Sequence, residues 1–397
     1  MKVLVLGAGG MGDTAAKTVA GFDEVTHLVV ADRDTKSAES CAARCGPKAS
    51  ALTLDVTDMA ALKTALSQAD VVLNCVGPFF RFGVPILAAA IESGTNYLDI
   101  CDDPEPTLEM LDLDAAARAN NVLAIIGMGA SPGISNLLAA KVCTSLDTID
   151  ELITGWNLDD GTDIEEETSL QGNEASAAVV HWMEQCSGTV QSWVANELQA
   201  VKPLQPLKVD YPGIGKRTLW TVGHPEPVTL PRTFPSITNT SNAMVLRALD
   251  AFALRELAGR IDSGALTVEE AAQEITEAIA TSRHSVFQRA LGWVASKFSG
   301  PTFPSIFAVA RGEKGGRPHV AAATIRAMPT GGMAGATGIP LAIGLKLLAQ
   351  GEIEGKGVVA PEAVIDPDVF FGAFEGFCKL PAPVATGTLV DFRLRGQ

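Results

Sequence analysis

Several features that would classify a chain at once are scarce or missing here. Among 397 residues there are seven cysteines, at 41, 45, 75, 101, 143, 186 and 378, an odd number without a C-x-x-C pair. That excludes a paired disulfide framework and a zinc ribbon, and it fits a reducing cytoplasm. The five histidines, 27, 181, 224, 284 and 319, stand singly with no zinc-type spacing to the cysteines, so no metal is expected. Basic residues are outnumbered, 30 Lys and Arg against 46 Asp and Glu, for a formal charge of −16. Nucleic acid and anionic membrane surfaces need the opposite sign, so neither is an expected partner. No run of about 18 apolar residues occurs, and the first residues read as a strand rather than a charged leader with an apolar stretch, so neither membrane insertion nor export is expected. Low-complexity tracts and fixed-period repeats are also missing.

What is present begins at the amino end. KVLVLGAGGMGDTAAK, residues 2–17, runs from a valine- and leucine-rich strand into glycines and then an alanine-rich stretch. Such a turn leaves the first N–H groups of a helix unpartnered and aimed outward, which suits an anion. Gly7, Gly9 and Gly12 hold the G-x-G-x-x-G spacing, with Gly10 and Met11 inside the turn. The first glycine permits the turn, the second lets backbone approach a pyrophosphate, and the third lets helix and strand close up. HLVVADR, residues 27–33, ends at Asp32, where a carboxylate would accept from ribose hydroxyls. Asp32 repels a 2′-phosphate and favours NAD, while Arg33 beside it could accept one and admit NADP. The reading is NAD, with NADP as the alternative.

Alternation continues with a helix near 35–45, a strand at 51–55, helix MAALKTALSQA, strand DVVLNCVG, helix PILAAAIESG, strand NYLDIC, helix LDLDAAARANN and strand VLAIIGMG. Six strands alternating with helices predict an α/β fold, a doubly wound parallel Rossmann sheet with its crevice at the carboxyl ends of the strands. Gly7, Asp32, Asp55, Cys75 to Pro78 and Asp99 fall around that crevice. Past residue 130 the rhythm changes, and 131–332 is expected to be a second, α+β domain for substrate binding and dimerisation, inserted before a C-terminal return. Residues 333–397 are expected to pack back on residues 1–130. TGIPLAIGLKLLAQGEI, 337–353, predicts an apolar helix with Pro340 at its start and Gly351 at its end.

The segments VLGAGGMG, VVADRD, LDVTD, VLNCVGPF, GTNYLDICDDPE, GMGASPGISNLLA, VTLPRTF and TGIPLAIGLKLLAQGEIEGKGVVAPE together resemble the saccharopine dehydrogenase family over most of the chain. NCVGPF and the last segment are the most diagnostic. The resemblance implies a nicotinamide-dependent enzyme acting at a carbon–nitrogen centre of an amino acid, opine-like conjugate or polyamine. It implies Gly7, Gly9 and Gly12 as the pyrophosphate turn, Asp32 and Arg33 at the ribose, Asp55 and Val56 at the adenine, and Val76, Gly77 and Pro78, following Cys75, at the nicotinamide. Saccharopine reductases carry an aspartate where this chain has Ser131 before Pro132-Gly133, and lysine 6-dehydrogenases lack it too. Saccharopine itself is thereby disfavoured against an amine or amino-acid substrate.

For the chemistry, Asp99, Asp102 and Asp103 could hold an ammonium group or move a proton, or be solvated loop acids and caps. His224, in TVGHPEPVTLPRTF, titrates near neutrality and suits proton exchange with an amine, unless it is only a loop residue. Arg232 could clamp a carboxylate or form a structural ion pair. His181 reads as a core or interface residue, the acid run 159–167 as a solvated loop, and Cys75 and Cys101 as buried thiols. The catalytic candidates are thus His224, Asp99 and Arg232, in a homodimeric NAD(P)-dependent oxidoreductase. The alternatives are a catalytically silent dinucleotide-binding sensor or scaffold, and hydride transfer at an alcohol or ketone. Against the last, Tyr97 and Tyr211 are the only tyrosines and neither begins a Tyr-x-x-x-Lys pair.

Overall fold

A computed structural model describes residues 1–157, 177–283, 303–380 and 387–396. Its first half is the expected alternation: β1 (Lys2–Leu6), α1 (Gly10–Ala20), β2 (His27–Asp32), α2 (Thr35–Cys45), β3 (Ala49–Thr53), α3 (Met59–Leu66), β4 (Val71–Asn74), α4 (Phe79–Glu92), β5 (Asn96–Asp99), α5 (Pro104–Leu111), α6 (Asp114–Ala119) and β6 (Leu123–Ile125). A bridging helix, α7 (Ile134–Cys143), leads to β7 (Thr148–Asn157), α8 (Ala177–Gln185), β8 (Val190–Val194), β9 (Glu197–Val201), β10 (Pro206–Tyr211) and β11 (Gly215–Val222). Then come α9 (Glu226–Thr233), β12 (Thr240–Val245), α10 (Ala248–Asp262), α11 (Val268–Arg283), β13 (Ile306–Lys314) and β14 (Arg317–Ile325). The chain closes with α12 (Gly332–Gln350), β15 (Gly357–Val359), α13 (Pro367–Glu375) and β16 (Val390–Gly396).

The first sheet is parallel throughout, in the order β15-β6-β5-β4-β1-β2-β3. β4 is buried at every position because helices cover both faces, which is why VVLN shows no polar alternation. Strand order reverses between β1 and β4, and a crevice opens there at the carboxyl ends. The second sheet, β10-β11-β12-β7-β13-β14-β16 with β8 and β9 attached at β12, is mixed, β12 running parallel to β7. α7 joins the two sheets. It is buried at every residue except Lys141, and its apolar side chains share one core with β1, β4 and β13.

Two expectations about the chain's end are corrected. The helix begins at Gly332, well before Pro340, because Gly331 takes a left-handed conformation (φ 101°) and starts it early; Pro340 is carried inside. The return from 333 onward also divides. Helix α12 and β15 join the first sheet's layer, whereas β16 pairs antiparallel with β14 in the second sheet. Among the described residues α12 is the one helix long and apolar enough to cross a bilayer, and two-thirds of that stretch is buried inside the protein.

Candidate active site

The site starts at the glycine turn. Gly7 has φ 89°, and a Cβ there would sit 3.0 Å from the carbonyl oxygen of Cys75. Gly9 caps α1 with extended backbone and no side-chain cap, so the first N–H groups of the helix are left for a ligand. Gly9 and Gly10 are exposed. A Cβ on Gly12 would overlap the carbonyl oxygen of Gly7, so only glycine lets α1 lie this close to β1. Asp13 brings a negative charge into the first turn; burial works against it, but hydrogen bonds from Lys17 and Arg44 hold its carboxyl below the usual range and neutralise it. An uncapped helix end behind a glycine turn fits a dinucleotide's pyrophosphate.

Asp32 is half-buried and braces the turn: Oδ2 accepts from the Ala8 N–H at 2.7 Å and Oδ1 from the Asp34 N–H at 2.9 Å. Arg33 beside it is exposed. Asp55 is exposed and accepts from the N–H (2.9 Å) and hydroxyl (2.7 Å) of Thr57, with Val56 half-buried between them. Across the crevice, Cys75, Val76, Gly77 and Pro78 follow β4, the Gly77–Pro78 peptide being cis and both residues exposed. Desolvation, seconded by the charge of Asp99, pushes the Cys75 thiol up to about 12, so it stays protonated.

Asp99 does not reach the crevice mouth. It is fully buried, taking the Tyr97 hydroxyl at 2.8 Å and the N–H groups of Gly127 (2.7 Å) and Cys101 (3.1 Å). The reason is the pleat: Tyr97 and Asp99 share a face of β5, in register with Asn74, whose amide donates to the Tyr97 oxygen at 2.9 Å. Burial lifts the Asp99 carboxyl to about 6 although those donors pull the other way. Its work is to tie the loops after β5 and β6 together.

Those loops carry the groups that do meet. Asp102 Oδ2 is 3.2 Å from His181 Nε2, and Asp103 Oδ1 and Glu184 Oε2 each lie 3.4 Å from His181 Nδ1. His181 comes from α8 in the second domain, whose Gln185 amide lies 2.8 Å from its Nε2. Burial opposes charging this imidazole, yet the carboxylates overrule it and hold the group up to about 11. Asp103 is raised to about 6, burial outweighing His181. The donor atoms of Asp102, Asp103 and His181 lie within 4.8 Å of one another, a spacing a cation could use, and the imidazolium itself supplies the positive charge.

His224, only 5% exposed, lies against this cluster. Burial depresses its basicity while the charges of Glu226 and Asp102 push back. Glu226, fully buried at the start of α9, accepts from the hydroxyls of Ser131 (2.5 Å) and Ser135 (2.6 Å) through Oε1. Behind it Asn136 donates to Glu362 Oε2 at 2.9 Å, and burial lifts that carboxyl to about 7. Arg232 is not brought in: it is exposed in the last turn of α9, about 9 Å along the helix from Glu226, with no ion pair among the described residues. The acid run 159–167 lies outside the described residues. His181, Glu226 and Glu362 were missed as site residues, though Glu226 stands two places after His224 in a segment already singled out.

Comparison with known proteins agrees with this geometry. Residues 3–125 match the saccharopine dehydrogenase NADP binding domain. Over 93% of this chain and 94% of the relative, the sequence is 24% identical to carboxyaminopropylagmatine dehydrogenase of Synechocystis sp.. A shorter stretch, 13% of the chain and 12% of the relative, is 45% identical to the saccharopine dehydrogenase-like oxidoreductase of Mus musculus. The fold superposes on saccharopine dehydrogenase (L-Glu forming) from Saccharomyces cerevisiae with a TM-score of 0.65 at 17% identity, covering 100% of this chain and 99% of that one. Residues 3–125 thus match an NADP-binding domain, and along its length the chain is similar to saccharopine dehydrogenase-like oxidoreductases.

Proposed function

We propose that the protein transfers a hydride at a carbon–nitrogen bond of an amine-bearing substrate, an amino acid, an opine-like conjugate or a polyamine. One observation carries this reading: three carboxylates and two imidazoles, Asp102, Asp103, Glu184, His181 and His224, converge where the loop after β5 meets the second domain. An alcohol needs no such concentration of negative charge, whereas an ammonium group does. The name of the Synechocystis relative, a dehydrogenase of an amine, supports the same class.

Bound NAD(P) would supply the hydride acceptor, and the glycine turn, Asp32 and the Cys75–Pro78 loop would hold it. Asp32 supports NAD over NADP, because a carboxylate at the end of β2, beside the turn, would repel a 2′-phosphate on the ribose. In this reading Asp102 and Asp103 hold the substrate's ammonium, and His224 takes the proton that leaves nitrogen as the bond is oxidised. The depressed basicity of His224 keeps it neutral and able to accept. All seven cysteines are unpaired, which supports the reducing, cytoplasmic setting we propose.

The test is a panel of amines, amino acids and aldehyde-plus-amine pairs, read by the absorbance of reduced nicotinamide. Turnover is expected with at least one cationic amine, and His224→Ala is expected to lower kcat by roughly 10²- to 10⁴-fold. Tight nicotinamide binding without turnover across the panel would support the silent binding protein instead.

A further inference from the structure

Every group facing the ring of His224 bears on which nitrogen holds its proton. From α9, Glu226 Oε2 lies 3.6 Å from Nδ1. From the loop after β6, Ser131 Oγ lies 3.5 Å from the same nitrogen. The single hydroxyl proton of Ser131 is given to Glu226 Oε1 at 2.5 Å, and Asn242 Nδ2 donates to Ser131 Oγ at 3.4 Å. Toward the ring, therefore, Ser131 offers lone pairs only. The carboxylate of Glu226 likewise offers only acceptors. Its Oε1 already takes two hydroxyls, while Oε2 is buried and has no hydrogen-bond partner among the described residues. Trp156 from β7 flanks the ring with centroids 6.1 Å apart, and the remaining charges acting on His224 are Asp102, after β5, and His181, on α8. No described group bonds Nε2.

We propose that Glu226 is the positioning residue for His224: it holds the imidazole as the Nδ1–H tautomer, with Oε2 as the acceptor, and so leaves the lone pair of Nε2 as the proton acceptor for the substrate's nitrogen. Both heteroatoms near Nδ1 can only accept, so a neutral ring must put its hydrogen there. The orphaned Oε2, costly while buried, gains a donor in Nδ1–H by a closure of a few tenths of an ångström. Glu226 thus supplies, from α9, a carboxylate next to the loop that carries Ser131. When the ring takes a proton at Nε2, the fixed charge of Glu226 steadies the imidazolium, and release to solvent resets the tautomer. This assignment rests on the proposed amine chemistry only for its consequence; the tautomer itself is a property of the resting protein.

The two are tested separately. Long-range ¹H–¹⁵N correlation spectra of ¹⁵N-labelled full chain, with His224→Gln as the assignment control, read the tautomer without any substrate. A pyrrole-type Nδ1 and pyridine-type Nε2 are expected, and the reverse pattern overturns the proposal. With a turned-over amine, Glu226→Gln is expected to move the acid limb of kcat/KM about one pH unit lower and to cut plateau kcat by roughly 10²-fold, with the KM for NAD(P) unchanged. Glu226→Asp, which keeps the charge, is expected to return the limb toward its wild-type position. An acid limb unmoved in Glu226→Gln overturns the proposal. Failure of the wild-type chain to oxidise any amine would sink the functional reading while the spectra still decide the tautomer.

Discussion

A methyl group on Gly12 would strike the carbonyl oxygen of Gly7, part of the turn that holds the helix end against β1. Gly12→Ala is therefore expected to weaken NAD(P) binding at least tenfold by titration calorimetry and to destabilise the fold by about 1–3 kcal/mol. Glu362 gives a pH-dependent test. Its carboxyl is lifted to about 7 by burial, from an ordinary 4.5, so the folded chain keeps a proton that the unfolded chain releases. Stability then falls as pH rises through that window and levels off above it. Glu362→Gln removes the titration. Its melting temperature should match wild type below about pH 4.5 and exceed it above pH 7, by a free energy on the order of 3 kcal/mol. A difference independent of pH would contradict the assignment. At this scale the glycines were readable because their spacing is a backbone requirement, whatever lies around them. Asp99 was misplaced because a strand-end acid reads the same whether the pleat turns it to solvent or, as here, to Tyr97 and Gly127. His181 was missed because only the second domain's fold carries its helix to Asp102.

At the scale of elements, α12 lies against α1 through Gly338, where a Cβ would come within 2.6 Å of the Met11 carbonyl oxygen and 3.0 Å of the Ala15 nitrogen. The cofactor helix is thus backed by a helix more than 300 residues away in sequence. Gly338→Val is expected to push the two apart, lowering the melting temperature by several degrees and weakening NAD(P) binding although the residue lies outside the crevice. Unchanged affinity in a folded variant would show that α1 holds its place without this support. The alternation that predicts six strands and their helices is strong, because a sheet buried on both faces writes itself as short apolar runs. β15 is three residues long and β16 joins the other sheet, and neither length nor partner is encoded in periodicity.

For the molecule as a whole, a net charge of −16 acts on both reactants with opposite signs. It would draw the cationic amine we propose as substrate toward the site and repel the cofactor's phosphates. Raising ionic strength from about 0.05 to 0.5 M, which shortens the screening length severalfold, should raise the KM of the amine by a factor of roughly two to five and lower that of NAD(P). Parallel changes in the two constants would argue for a local rather than a global field.

The pairing of β15 with β6 also has a meaning for biosynthesis. Residues 357–359 leave the ribosome more than two hundred residues after the strand they cover, a wait on the order of tens of seconds at ordinary elongation rates. Throughout that interval the nascent cofactor-binding half displays β6 as an unpaired sheet margin, the kind of edge on which another chain can add a strand.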